Sequence, residues 1–301
     1  MSDRSVRVDE ATVQQWAELA LKVRAFDDIV ERCSRPQLGS YFNVVDDAYP
    51  REAFSQWTRE GLRSALDHIR IWANHAVPLE QPEGVVVHHE GFRWSFTLMR
   101  GAIEGAAQSL WLSRAKTVDV AKTRLVRAVR HDLREQRLAW LAMGSDVGPV
   151  DARVVFHEAA AAELVEFGPN TDRLPSMVSM IRDAATETNQ DPDRHEANWR
   201  VCSAAAHGKD WAILELQTFV DRVEWRPGQY HSIGHPDPDR LTEILDDAVS
   251  LLSLAGIQYL VGSGYDPALE IRRSIVVAAR KMPQKDGGAH VEKTAKLFGV
   301  D

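Results

Sequence analysis

WSFTLMRGAIEGAAQSLWLSRA, residues 94–115, decides the fold class. Met99, Ile103, Ala106 and Leu110 recur at steps of three and four, which sets one apolar stripe along a helix. Leu98, Trp111 and Leu112 fall elsewhere on the wheel, so most of its circumference is apolar. A helix apolar nearly all round must be enclosed by others. The sequence around it has to supply those neighbours.

It does so on both sides. Residues 9–33 and 51–76 repeat the helical spacing, with Trp16, Leu19, Ala20 and Val23 as the clearest run. SRPQLGSYFNVVDDAYP between them reads as a connection, and so does 78–92, with room for a short strand at Val85–Val87. Further helices are expected at 118–141, 151–167, 175–189, 191–208, 235–260 and 267–281. Asp191 suits an N-cap, Pro192 the first turn and Gly208 the left-handed residue past the end. Residues 211–226 fit neither the helical nor the strand period cleanly. The stretch Pro283–Ala289 is polar and contains glycine, which suggests a loosely attached end. The expectation is an all-α multi-helix bundle with a short strand or β-hairpin near 211–230. Its N-terminal helical region (1–77) would pack on a core of 78–265, followed by a C-terminal helix and tail at 266–301.

Composition narrows the functional classes. A chain of 301 residues, 44% hydrophobic, can bury a substantial core. Its net charge of -8 argues against a purely electrostatic nucleic-acid binder. Two cysteines, Cys33 and Cys202, make no disulfide framework and fit a reducing compartment. MSDRSVRVDE lacks the character of a signal peptide, and no apolar stretch is expected to reach the roughly 18 residues of a spanning helix. These points together predict a cytoplasmic protein without a membrane partner.

The common catalytic motifs are missing: no Walker loop, no G-x-G-x-x-G, no G-x-S-x-G. His157-Glu158 opens like a zinc-protease helix, but Ala161 stands where the second histidine belongs. His88-His89-Glu90 and the pair His231/His235 read as loop residues, so neither a metal nor a cofactor is expected. Three features remain. Arg100 and Glu104, four apart, share a face of the apolar helix, as its solvated stripe, a structural ion pair or a functional pair. From Arg114 to Arg137, eight basic residues face three acidic ones. Arg127, Arg130, Arg134 and Arg137 make one stripe, either a solvated face or a surface for phosphate. Arg200 and His207 lie two turns apart on one helix, with Ser203 between them. Carbonyls at a helix end favour a protonated imidazole, suited to a general acid or a phosphate contact. They also give His207 a purely structural use.

An arginine followed some residues later by a histidine near a helix end, here Arg200-x6-His207, resembles the motif of the HEPN superfamily. Val201 stands where that family often has a polar residue. Arg100 to Leu112 followed by Ser203 to Gly208 is also similar to uncharacterised bacterial helical proteins placed near that superfamily. The resemblance implies a helical bundle, often a homodimer, and a metal-independent ribonuclease or RNA-binding protein of a bacterial defence or toxin–antitoxin system. It implies Arg200 and His207 as catalytic residues. Arg100, Glu104, Arg127, Arg130 and Ser203 are the candidate substrate contacts. The competing expectations are a non-catalytic interaction protein, and a small-molecule enzyme with a helical cavity lined by Trp94, Trp111, Trp140 and Trp199.

Overall fold

The chain is described by a computed structural model that covers residues 8–79, 93–162, 173–283 and 287–300. In chain order its elements are α1 (Glu10–Arg32), α2 (Tyr41–Ala48), α3 (Phe54–Ala76), α4 (Arg93–Ser113), α5 (Val118–Ala142), α6 (Gly148–Ala162) and α7 (Met177–Glu187). Then come α8 (Pro192–Ala206), α9 (Asp210–Leu216), β1 (Gln217–Arg226), β2 (Gln229–Pro236), α10 (Pro238–Gly262), α11 (Pro267–Lys281) and α12 (Ala289–Phe298). The fold is an all-α bundle with one small hairpin.

α4 lies at the centre, packed on α3, α10, α8 and α7. Phe96, Met99, Ala102, Ile103, Ala106 and Leu110 are all buried. The closest approach is to α3, and small residues make it. Gly105 of α4 passes so near Gly61 and Ala65 that an added Cβ would stand 2.7 Å from two backbone atoms. Gly101, one turn earlier, leaves space filled by the His68 ring. Ser109, one turn later, donates its hydroxyl to the Thr58 carbonyl at 2.9 Å. α10, the second core helix, is long and apolar enough to cross a membrane, although the sequence reading found no such span. Its apolarity has a plainer cause, since 61% of its most apolar stretch is buried in the bundle.

Three helices start alike. Asp191, Asp237 and Asp266 each cap an α-helix whose first residue is proline, accepting two backbone N–H groups. The helix expected at 235–260 therefore begins only at Pro238, because His235 and Pro236 end β2. The expected connection at 34–50 holds α2, capped by Ser40. It is only eight residues long, and burial of Phe42 and Val45 holds it in place. Phe42 reaches Phe54 and Tyr259, with ring centroids 5.3 Å and 6.0 Å apart. The ambiguous 211–226 stretch contains both structures: α9 runs to Leu216 and β1 starts at Gln217. β1 pairs antiparallel with β2, with register shifts after Val220 and Glu224. α12 packs on α11 through Val276, Val291 and Ala295. The Val85–Val87 strand lies outside the described residues.

Gly105→Ala forces the α3 and α4 backbones apart and is expected to lower the unfolding free energy by about 2 kcal/mol. Urea denaturation followed by circular dichroism measures this, and an unchanged midpoint would show that the contact is slack.

Candidate functional site

Arg100 and Glu104 sit on the flank of α4 that faces α8. Arg100 donates from Nε to Glu104 Oε1 at 2.8 Å. The same oxygen accepts the indole N–H of Trp199, on α8, at 2.9 Å. One carboxylate thus ties a guanidinium on its own helix to the neighbouring helix. Arg100 and Glu104 are about three-quarters buried, at 28% and 26% side-chain exposure. Held in this way, Arg100 extends Nη1 to 3.1 Å from His207 Nε2. A guanidinium only donates, so the imidazole accepts at Nε2.

His207 owes its position to the end of α8. It is the C-cap, its N–H bonded to the Ser203 carbonyl at 3.1 Å. Gly208 follows at φ +68°, turning the chain out of the helix. Arg93 Nη1 lies 3.9 Å from where a Cβ on Gly208 would stand, so a second guanidinium borders the turn. His207, Arg93 and Lys209 are exposed.

The other candidates do not converge here. Arg200 is 57% exposed, with Nε and Nη2 each 2.7 Å from Glu196, which also holds Arg182. Glu196 thus engages Arg200, and the guanidinium that meets His207 is that of Arg100. Arg127 and Arg130 belong to α5, which packs on α6, α2, α3 and α4, whereas α8 packs on α4, α7 and α9. The basic stripe is answered by α6: Arg130 stands 3.5 Å from Glu158, and Arg137 2.6 Å from Asp151. Arg114, before the stripe, pairs with Glu187 at 2.6 Å. Ser203 is half-buried on α8.

Sequence reasoning missed two buried polar clusters. In the first, Asp247 of α10 receives Arg194 Nη2 at 2.8 Å and Asn198 Nδ2 at 2.5 Å, both from α8. His195 is buried beside it. Its burial pushes the imidazole below its ordinary pKa, against the pull of Asp247. In the second, Tyr49 Oη lies 3.1 Å from His157 Nδ1, and His157 Nε2 lies 3.4 Å from Glu52. Burial lowers the His157 pKa too, with Glu52 opposing. His195, Asn198 and Asp247 in the first and Tyr49 and His157 in the second are buried, with Arg194 and Glu52 reaching them from the surface, which suits holding helices together. Desolvation raises Cys33 to about 11 and Cys202 to about 12, so neither offers a thiolate nucleophile.

Three of the four tryptophans serve different neighbours. Trp94 stacks edge-on against His75, Trp111 lies under Arg124, and Trp199 serves Glu104. A groove of about 290 Å³ lies instead between α1, α3 and α11, lined by Arg24, Asp27, Glu31, Arg70 and Lys281. Among the described residues no group of three His, Cys, Asp or Glu side chains could hold a metal ion. His88, His89 and Glu90 lie outside those residues, and His231 and His235 are both on β2. No protein-family model, no curated protein and no solved structure matches the chain.

The buried histidines set a pH dependence. Both fold as neutral rings with lowered pKa values, so the unfolded chain binds more protons below the ordinary histidine value of about 6.5. Stability is full above that pH and falls below it, by up to about 1.4 kcal/mol per pH unit for each histidine. Urea denaturation at pH 7, 6 and 5 should show this loss, and His195→Gln should reduce the slope. Equal slopes in both proteins would show that His195 does not contribute.

Proposed function

We propose that the junction of α4 and α8 handles RNA phosphate as a metal-independent ribonuclease site, with His207 and Arg100 as its working pair. The observation that carries this is the 3.1 Å contact between an exposed imidazole and an anchored guanidinium. When a substrate phosphate draws the Arg100 guanidinium off Nε2, His207 is free to take the proton of a ribose 2′-hydroxyl there as the 2′-oxygen attacks phosphorus. The bond to the leaving 5′-oxygen then breaks, and the His207 imidazolium returns the proton to that oxygen. Arg100, fixed by Glu104, holds donors towards the charge that develops on the phosphoryl oxygens. Arg93 beside Gly208 adds a second positive group. The dependence on a 2′-hydroxyl makes the substrate RNA and not DNA. Arg200, the arginine of the HEPN-like motif, serves here as a surface contact at most, because Glu196 holds it.

A second reading has its own support. Glu104 bonds both Arg100 and Trp199, as a structural clamp between helices would. On that reading the protein is a non-catalytic interaction module, and the cluster holds α8 on α4.

The two readings separate in one assay. Purified protein should cleave single-stranded RNA in the presence of EDTA. His207→Ala and Arg100→Ala should each slow cleavage at least about 100-fold, and Arg200→Ala only a few-fold. Intact RNA, or cleavage by His207→Ala at the wild-type rate, would leave the clamp as the role of the cluster.

A further inference from the structure

Arg24 of α1 is a buried charge, 7% exposed, with no acidic partner among the described residues. Its Nη2 donates to the Ala73 and Val77 carbonyls and to Asn74 Oδ1, at 3.3, 2.5 and 3.2 Å. Nε and Nη1 are closed to water and have no hydrogen-bond partner among the described residues. Burial lowers the Arg24 pKa, yet a guanidinium keeps its charge in a protein. A buried charge without an opposite one is strongly unfavourable. Arg24 forms part of the wall of the groove between α1, α3 and α11. Asn74 lines that groove too, so its bond to Nη2 sets the guanidinium at the α3 side of the wall.

Three acids share the groove, and other side chains claim each of them. Asp27 receives Arg70 at 3.2 Å, and Asp28 accepts the Ser274 hydroxyl at 2.6 Å. Glu31 faces Arg63 at 3.8 Å and Arg59 at 3.9 Å. Lys281 of α11, also on the groove, is exposed and has no ion pair among the described residues. We infer that this groove binds a small aliphatic monocarboxylate, with Arg24 as the buried anchor and Lys281 as the outer cation. Charge supports a single negative group. Two cations there stand without acids, whereas a multiply charged anion such as phosphate also meets the repulsion of three carboxylates. Size supports a small molecule: about 290 Å³ lies near the lower end of such sites, at roughly 300–1,000 Å³. Leu79 and Val277 supply apolar wall for the hydrocarbon end. The carboxylate reaches Arg24 through a turn of that long side chain, in which the bond to the exposed Asn74 gives way. Neither α4 nor α8 lines the groove, and the inference does not depend on the ribonuclease reading.

Isothermal titration calorimetry of the full chain with butyrate, phosphate and butylamine tests it. Butyrate should bind at a single site with a Kd of about 1 mM or tighter. Phosphate should bind at least about tenfold more weakly, and butylamine more weakly still. Arg24→Gln should weaken butyrate binding at least about tenfold. Lys281→Glu, a change at an exposed position that spares the fold, should weaken it about threefold or more, and it decides the matter if Arg24→Gln does not fold. A wild-type protein that shows no saturable binding of butyrate overturns the inference. So does phosphate or butylamine bound as tightly as butyrate, or butyrate binding of wild-type strength in either folded variant.

Discussion

The contact of α3 with α4 at Gly61 and Gly105 is the constraint from which the rest follows. Two helix backbones this close cannot roll against each other, since side chains do not cushion them. The roll of α4 is therefore set. With Gly101, Gly105 and Ser109 turned to α3, Arg100 and Glu104 fall on the adjoining flank, where α8 lies. Apolar side chains fill the other directions. A bulkier stripe on α4 would shift the helix outward and carry Arg100 away from His207.

Glu104 turns this placement into a site. A carboxylate about three-quarters buried loses hydration, and the Arg100 and Trp199 donors replace it. Arg100 thereby gives up its freedom, and its remaining donors point to the end of α8. There the chain reverses at Gly208, leaving the His207 ring at the surface. Asp247, Arg194 and Asn198 fix the other side of α8 on α10, so the histidine is held from two directions.

Helix existence was legible in the sequence wherever apolar spacing ran for several turns, as in α1, α3, α4 and α5. The aspartate–proline start at 191 marked its helix because the cap and the fixed proline φ are local. α2 escaped because eight residues carry little periodicity, and only burial of Phe42 and Val45 makes it a helix. The change from α9 to β1 escaped because one apolar run serves both. The site was half legible. The Arg100–Glu104 pair and His207 each stood out, but their meeting joins positions 107 residues apart. The motif spacing favoured Arg200, which a neighbouring glutamate on its own helix claims. The basic stripe was read without its partners, because Asp151 and Glu158, which answer it, come from the next helix.

The central claim is that Arg100 and His207 act on phosphate as one unit. A double-mutant cycle reads this directly, with Arg100→Ala, His207→Ala and the double variant titrated against a single-stranded RNA made uncleavable by 2′-O-methylation. The account predicts that the losses in affinity fail to add, with a coupling of about 1 kcal/mol or more. Losses that add within about 0.5 kcal/mol, or no binding by the wild-type protein, would contradict it.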